Sequence, residues 1–235
     1  MSQLFSGKDT LLPIMKKIED TPDSHSNNPR PMIKYVRITE HIAGKLKPKE
    51  AYLFYCLALN ADLKTYYSDI KQVTLANEYG IKDTDQISDW LYHFQSCGLL
   101  TVIKTNIKGQ YGRFQRCRYK LNTEHYVLIS ELLHDEPINR QLKGFLILLK
   151  CKCLNRTNTT LYSQGQLANE LKVAKSTISN YISEAIAKGY ICKDDKGIHI
   201  LRDDIFLIPN AVRPDFRKRQ VKAVQPAKLP IIIMD

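Results

Sequence analysis

Apolar and polar positions fall into two blocks of helices, each closed by a pair of alternating segments. In the first block, PMIKYVRITE (31–40) predicts a short strand. Lys47-Pro48-Lys49-Glu50 predicts a helix start, because proline in the first turn has no N–H to leave unpaired. The run AYLFYCLALNA that follows is apolar nearly all round, the pattern of a central, buried helix. Thr74 is placed to cap a second helix over LANEY, with Gly80 just past its end, where a left-handed backbone is needed. A third helix is expected over Thr84 to Cys97, with Ile87, Leu91 and Phe94 as its buried stripe and Gly98 closing it. LLTVIKT and RFQRCRYKL alternate on either side of NIKGQYG, which predicts a β-hairpin.

The second block repeats the order. QLKGFLILLKCKCLN predicts the central helix, Leu161-Tyr162 a short strand, Ser163 an N-cap, and QLANEL the second helix. KVA is the turn. Lys175 to Lys188 is the third helix, with Ile178, Ile182, Ala185 and Ile186 facing inward. YICKDDKGIHIL predicts a tight hairpin turning at Asp195-Lys196-Gly197. Between the blocks, TEHYVLISELLHDEP predicts a connecting helix over 123–137 that ends at Pro137.

The two blocks also match in letters. Leu75-Ala76-Asn77-Glu78 recurs as Leu167-Ala168-Asn169-Glu170, about ninety residues later. Ile87 aligns with Ile178, Ser88 with Ser179, Trp90 with Tyr181, and Gly98 with Gly189, after a one-residue slip in the intervening turn. Such self-similarity implies one supersecondary unit built twice. The expected organisation is an N-terminal flexible segment (1–31), a first domain (32–122), the connecting helix (123–137), a second domain (138–210) and a basic tail (211–235).

Composition narrows the function. The chain of 235 residues carries a formal net charge of +11, which points to an anionic partner. No apolar run approaches the ~20 residues of a spanning helix, so no membrane role is expected. The opening MSQLFSGKDTLLPIMKK lacks a signal-peptide pattern, so a cytoplasmic location is expected. The six cysteines show no disulfide-framework or metal-ligand spacing and are expected to be reduced and structural. No phosphate-binding glycine loop, zinc-protease helix or glycine-framed serine occurs, so neither enzyme activity nor a cofactor is expected.

Helix, short strand, helix, tight turn, helix and hairpin, carried by LANEY…GLL and by LANELKVAKSTISNY…GYI, resembles the winged helix-turn-helix domain. The resemblance covers about 160 of the 235 residues. It implies an α+β fold, mostly α with small β-hairpin wings, as two tandem winged helix-turn-helix domains. It also implies double-stranded DNA as partner, read by the third helix of a copy from the major groove.

In the second copy Lys175, Ser176, Thr177, Ser179, Asn180 and Ser183 lie off the apolar stripe of that helix. Asn pairs bidentately with adenine, and Ser and Thr are permissive donors and acceptors. In the first copy Gln86 and Ser88 hold the corresponding places, but Asp83-Thr84-Asp85 makes the helix start acidic. That acidity also allows a protein partner for the first copy. The first hairpin holds Lys104, Lys108, Arg113, Arg116, Arg118 and Lys120 with no acid, a single-signed set suited to phosphate. The tail adds Arg217, Lys218 and Arg219. A transcriptional regulator is the expected role. The alternative is a replication initiator of a plasmid, phage or other mobile element, and homodimerisation stays open.

Overall fold

The computed structural model describes residues 33–109 and 112–208. The expected N-terminal segment and the basic tail lie outside the described residues. The chain is mixed α and β, as the α+β expectation has it. In order come β1 (Tyr35–Thr39), a 3-10 turn (Glu40–Ile42), α1 (Pro48–Leu59), β2 (Tyr67–Ser68), α2 (Gln72–Tyr79), α3 (Thr84–Ser96), β3 (Leu100–Gly109) and β4 (Gly112–Leu121). There follow β5 (Tyr126–Ser130), α4 (Leu132–Asp135), α5 (Arg140–Cys151), β6 (Thr159–Thr160), α6 (Gln164–Leu171), α7 (Lys175–Ala187), β7 (Ile191–Asp194), β8 (Gly197–Ile200) and β9 (Phe206–Leu207).

The internal repeat is a structural repeat. α1 and α5 have 12 residues each, α2 and α6 have 8, and α3 and α7 have 13. Each copy forms its own three-stranded sheet, ordered β2-β4-β3 and β6-β8-β7. The glutamates of the repeated Leu-Ala-Asn-Glu do the same work. Glu78 accepts a 2.6 Å hydrogen bond from Asn60, and Glu170 one of 2.6 Å from Lys152, each donor capping the preceding helix 18 residues upstream. The aligned Trp90 and Tyr181 both make aromatic contacts, but with non-equivalent helices. Trp90 meets the Tyr79 ring edge-on at 5.4 Å between centroids, and Tyr181 stacks on Phe145 at 5.2 Å.

The copies share one core. α1 is buried from Ala51 to Ala58, as its all-round apolarity predicts, and it packs along α5. Gly144 sits where these helices meet. A Cβ there would stand 1.7 Å from the Pro48 carbonyl oxygen, so no side chain fits. A third sheet, ordered β1-β5-β9, ties the copies together. β5 and β9 each follow a hairpin, and they pair antiparallel through Leu128↔Leu207 and Ile129↔Phe206.

Four expectations change. Within 123–137 the predicted connecting helix is instead the strand β5 followed by the single turn α4. Its β-branched Val127 and Ile129 point into the core opposite Ile38 and Val36, and β1 supplies the pairing edge from far up the chain. α2 starts at Gln72 behind Lys71, so Thr74 lies inside its first turn rather than capping it, and no side chain caps this helix. The short strand of the second copy is Thr159–Thr160, two residues before Leu161-Tyr162, where Thr160 pairs with Ile198 of the hairpin. Ile186 is 44% exposed: the inward stripe of α7 is Ile178, Ile182 and Ala185 alone.

Candidate functional site

The second copy's α6–turn–α7 segment is shaped by its caps. Ser163 and Gln166 form a reciprocal capping box at the start of α6. α6 ends at Lys172, which takes the left-handed conformation (φ 52°) that Gly80 takes after α2 (φ 85°). Val173 and Ala174 complete the turn, and α7 begins behind Ala174 with no side chain capping it. Its first N–H groups are therefore without a side-chain acceptor and carry the positive end of the helix dipole.

Burial of Ile178, Ile182 and Ala185 against the body turns the opposite face of α7 outward. Lys175, Ser176, Asn180 and Ser183 are exposed, and Thr177 and Ser179 are half-buried. Among the described residues, none of the six side chains hydrogen-bonds or ion-pairs with another group of the protein. This face is thus a row of side-chain donors and acceptors that make no hydrogen bond or ion pair within the described protein.

The equivalent helix α3 is different in kind. Asp83 closes its N-terminus, accepting from the backbone N–H of Asp85 at 2.9 Å and of Gln86 at 3.4 Å. Ser88 is used internally: its one hydroxyl proton is shared between the Gln72 side-chain oxygen at 2.9 Å and the Thr84 carbonyl at 3.1 Å. Gln86 is exposed, flanked by exposed Asp85 and Asp89. The structure thus leaves Gln86 outward and takes Ser88 away from any partner. An open groove of about 1090 Å³ lies between α3 and the first hairpin, with Val73 and Tyr92 exposed beside it.

The hairpins also differ. The first has strands of 10 residues and the second strands of 4. Antiparallel register puts directly opposed residues on one face, so the first hairpin's cations divide. Arg118 opposes Ile103, Arg116 opposes Thr105 and Lys120 opposes Thr101, and these share the outer face, as the alternation of Arg116, Arg118 and Lys120 predicts. Lys104 opposes Cys117 and Lys108 opposes Arg113, on the other face. Lys104, Lys108, Arg116, Arg118 and Lys120 are all exposed, whereas the side chain of Arg113 lies outside the described residues, as do Arg217, Lys218 and Arg219.

One residue of this region escapes a reading of the sequence. Asp69, next to β2, accepts from Arg118 Nε at 2.8 Å and Nη2 at 2.9 Å, and lies 3.6 Å from Arg116 Nη2. The hydrogen bonds from Arg118 hold the Asp69 carboxyl below the usual carboxylate range. The partners are 49 residues apart, so no local signal links them. Tyr67 lies beneath Arg118 and Lys120, with each cationic centre 5.6 Å from its ring centroid.

The base of the second hairpin is braced by charge. Arg202 donates to Glu136 at 2.6 Å and to Asp204 at 2.8 and 2.9 Å, and the Tyr190 hydroxyl donates to Glu136. Burial pushes Glu136 up, but the bonds from Arg202 and Tyr190 outweigh it and hold its pKa down. At the hairpin turn, Asp194 accepts from the Lys196 and Gly197 N–H groups and from His199. Its acidity is spent on the turn. Burial pushes the thiols of Cys56 and Cys153 up to about 12 and about 11, and that of Cys151 up as well, so none of the three is a poised nucleophile.

No protein-family model matches this sequence, and no match to a curated protein is found.

Proposed function

We propose that this chain is a sequence-specific double-stranded DNA-binding protein built from two tandem winged helix-turn-helix units. The observation that carries the reading is the outward face of α7: a lysine and five short polar side chains, none engaged within the described protein, behind an uncapped helix N-terminus. A helix of this size fits the major groove, and its first turns reach base edges. Asn180 pairs with adenine, Ser176, Thr177, Ser179 and Ser183 offer donors and acceptors, and Lys175 meets phosphate. The long first hairpin follows the backbone with Lys104, Lys108, Arg116, Arg118 and Lys120. The net charge of +11 supports an anionic partner.

Transcription regulation is the first role for such a protein. A second reading, initiation of replication on a plasmid, phage or other mobile element, has one observation in its favour. The two third helices are unlike, one acidic and closed, the other open and neutral-to-basic. A single chain with unlike readers suits an asymmetric site, which repeated origin sequences provide. A palindrome asks for two identical readers.

Fluorescence anisotropy of the full chain with a labelled random duplex, titrated with salt, tests the shared premise. Binding that weakens linearly on logarithmic axes as salt rises is expected. No binding at low salt overturns the reading.

A further inference from the structure

The first hairpin's outer face holds three cations and, at its edge, one carboxylate. Ser68 of β2 pairs with Tyr119, which brings the next residue, Asp69, beside Arg118. The resulting contact is a fork: two guanidinium N–H groups on two carboxylate oxygens at 2.8 and 2.9 Å, with Arg116 3.6 Å away. All three side chains are open to solvent, Arg116 at 53%, Arg118 at 48% and Asp69 at 38%. Lys104 and Lys108, on the opposite face, have no ion pair among the described residues.

A guanidinium fork fits a phosphate as well as it fits a carboxylate. An exposed ion pair is weakly held and exchanges readily. A phosphate approaching Arg118 therefore competes with Asp69 for the same N–H groups, and it meets the carboxylate's negative charge as it does so. Resting on the DNA-binding reading, we infer that Asp69 is an attenuator of phosphate contact: it occupies Arg116 and Arg118 in the free protein and yields them only in part to the DNA backbone. The hairpin's working charge is thereby smaller than its sequence implies. Asp69 sets how tightly DNA of any sequence is held, while base preference rests on α7, in the other copy.

The test is Asp69→Asn, which keeps the shape and removes the charge, with unfolding monitored by circular dichroism to verify the fold. Affinity for random duplex should rise about three- to tenfold, and the salt dependence should steepen by roughly one unit, the signature of a gained phosphate contact. In an Arg116→Ala, Arg118→Ala background the same substitution should leave the salt slope unchanged, because no arginine remains to be released. Weaker binding by Asp69→Asn would mean that the carboxylate aligns the arginines for DNA, and it would overturn the inference. So would unchanged affinity, or a steeper slope that persists without the arginines. Failure of the wild-type chain to bind any duplex would instead strike the DNA-binding reading itself, and the inference with it.

Discussion

Gly144 of α5 lies against Pro48 of α1 with no room for a single added carbon: a Cβ would stand 1.7 Å from the Pro48 carbonyl oxygen and 2.5 Å from its carbon. The neighbour is backbone, so the clash cannot be relieved by a rotamer change. Gly144→Ala is expected to cost about 3 kcal/mol or more, at the upper end of overpacking effects, because the two central helices must separate. Gly165, in α6, is the control. A Cβ there meets nothing within 4 Å, so Gly165→Ala should be neutral or stabilising by up to about 1 kcal/mol. Urea unfolding of the two variants measures both.

The face of α7 gives the second prediction. Asn180→Ala and Ser176→Ala remove exposed side chains without partners among the described residues, so neither should alter folding stability by more than about 0.5 kcal/mol. Each is expected to weaken binding to a preferred site by about 1–3 kcal/mol while leaving affinity for random duplex nearly unchanged. Paired titrations on selected and scrambled duplexes check this. Equal losses on both would remove these residues from base reading.

Lys104 and Lys108, which share one face of the hairpin, have no carboxylate partner among the described residues, whereas Arg116 and Arg118 on the other face meet Asp69. The double variant Lys104→Ala, Lys108→Ala should bind all duplexes more weakly and reduce the salt slope by roughly two units. The Arg116→Ala, Arg118→Ala pair should reduce it by less, since Asp69 already holds those guanidinium groups. Equal slopes for the two variants would contradict the division of the hairpin into a free and a restrained face.

The brace at the second hairpin predicts a pH dependence. Arg202 holds the pKa of Asp204 down by hydrogen bonding, and with Tyr190 it holds that of Glu136 down against the effect of burial. Carboxylates with depressed folded-state pKa values stabilise fully above their unfolded-state values, and that stability is lost as pH falls through the folded-state values. Stability should therefore be level near neutrality and decline below about pH 4. Arg202→Ala should cost about 1–3 kcal/mol at neutral pH, a figure reduced for its partial exposure, and should flatten the acid decline. Thermal melts across pH 3–7 show whether both changes occur together.

Local patterns in the sequence carry most of the fold. Caps, left-handed glycines and apolar stripes are set within a few residues, so the helices over Pro48–Leu59 and Lys175–Ala187 are legible, as is the repeat. What depends on distant pairing is not. YVLIS has spacing that suits a helix or a strand, and only the unpaired edge of β1, ninety residues upstream, decides for β5. Gly144 reads as a weak point in an apolar helix until α1 lies against it. The same holds for the site. The outward face of α7 follows from its stripe, whereas the loss of Ser88 to Gln72 and of Arg118 to Asp69 arises from tertiary neighbours.

Selection of bound duplexes from a random pool, run in parallel with wild-type protein and with Asn180→Ala, tests the central claim most directly. The wild type is expected to enrich one motif, and the variant to lose preference at one or two adjacent positions within it while keeping the rest, as removal of a single bidentate base contact requires. Enrichment of no motif by the wild type, or of the same motif at every position by both proteins, would contradict the account of α7 as the reading helix.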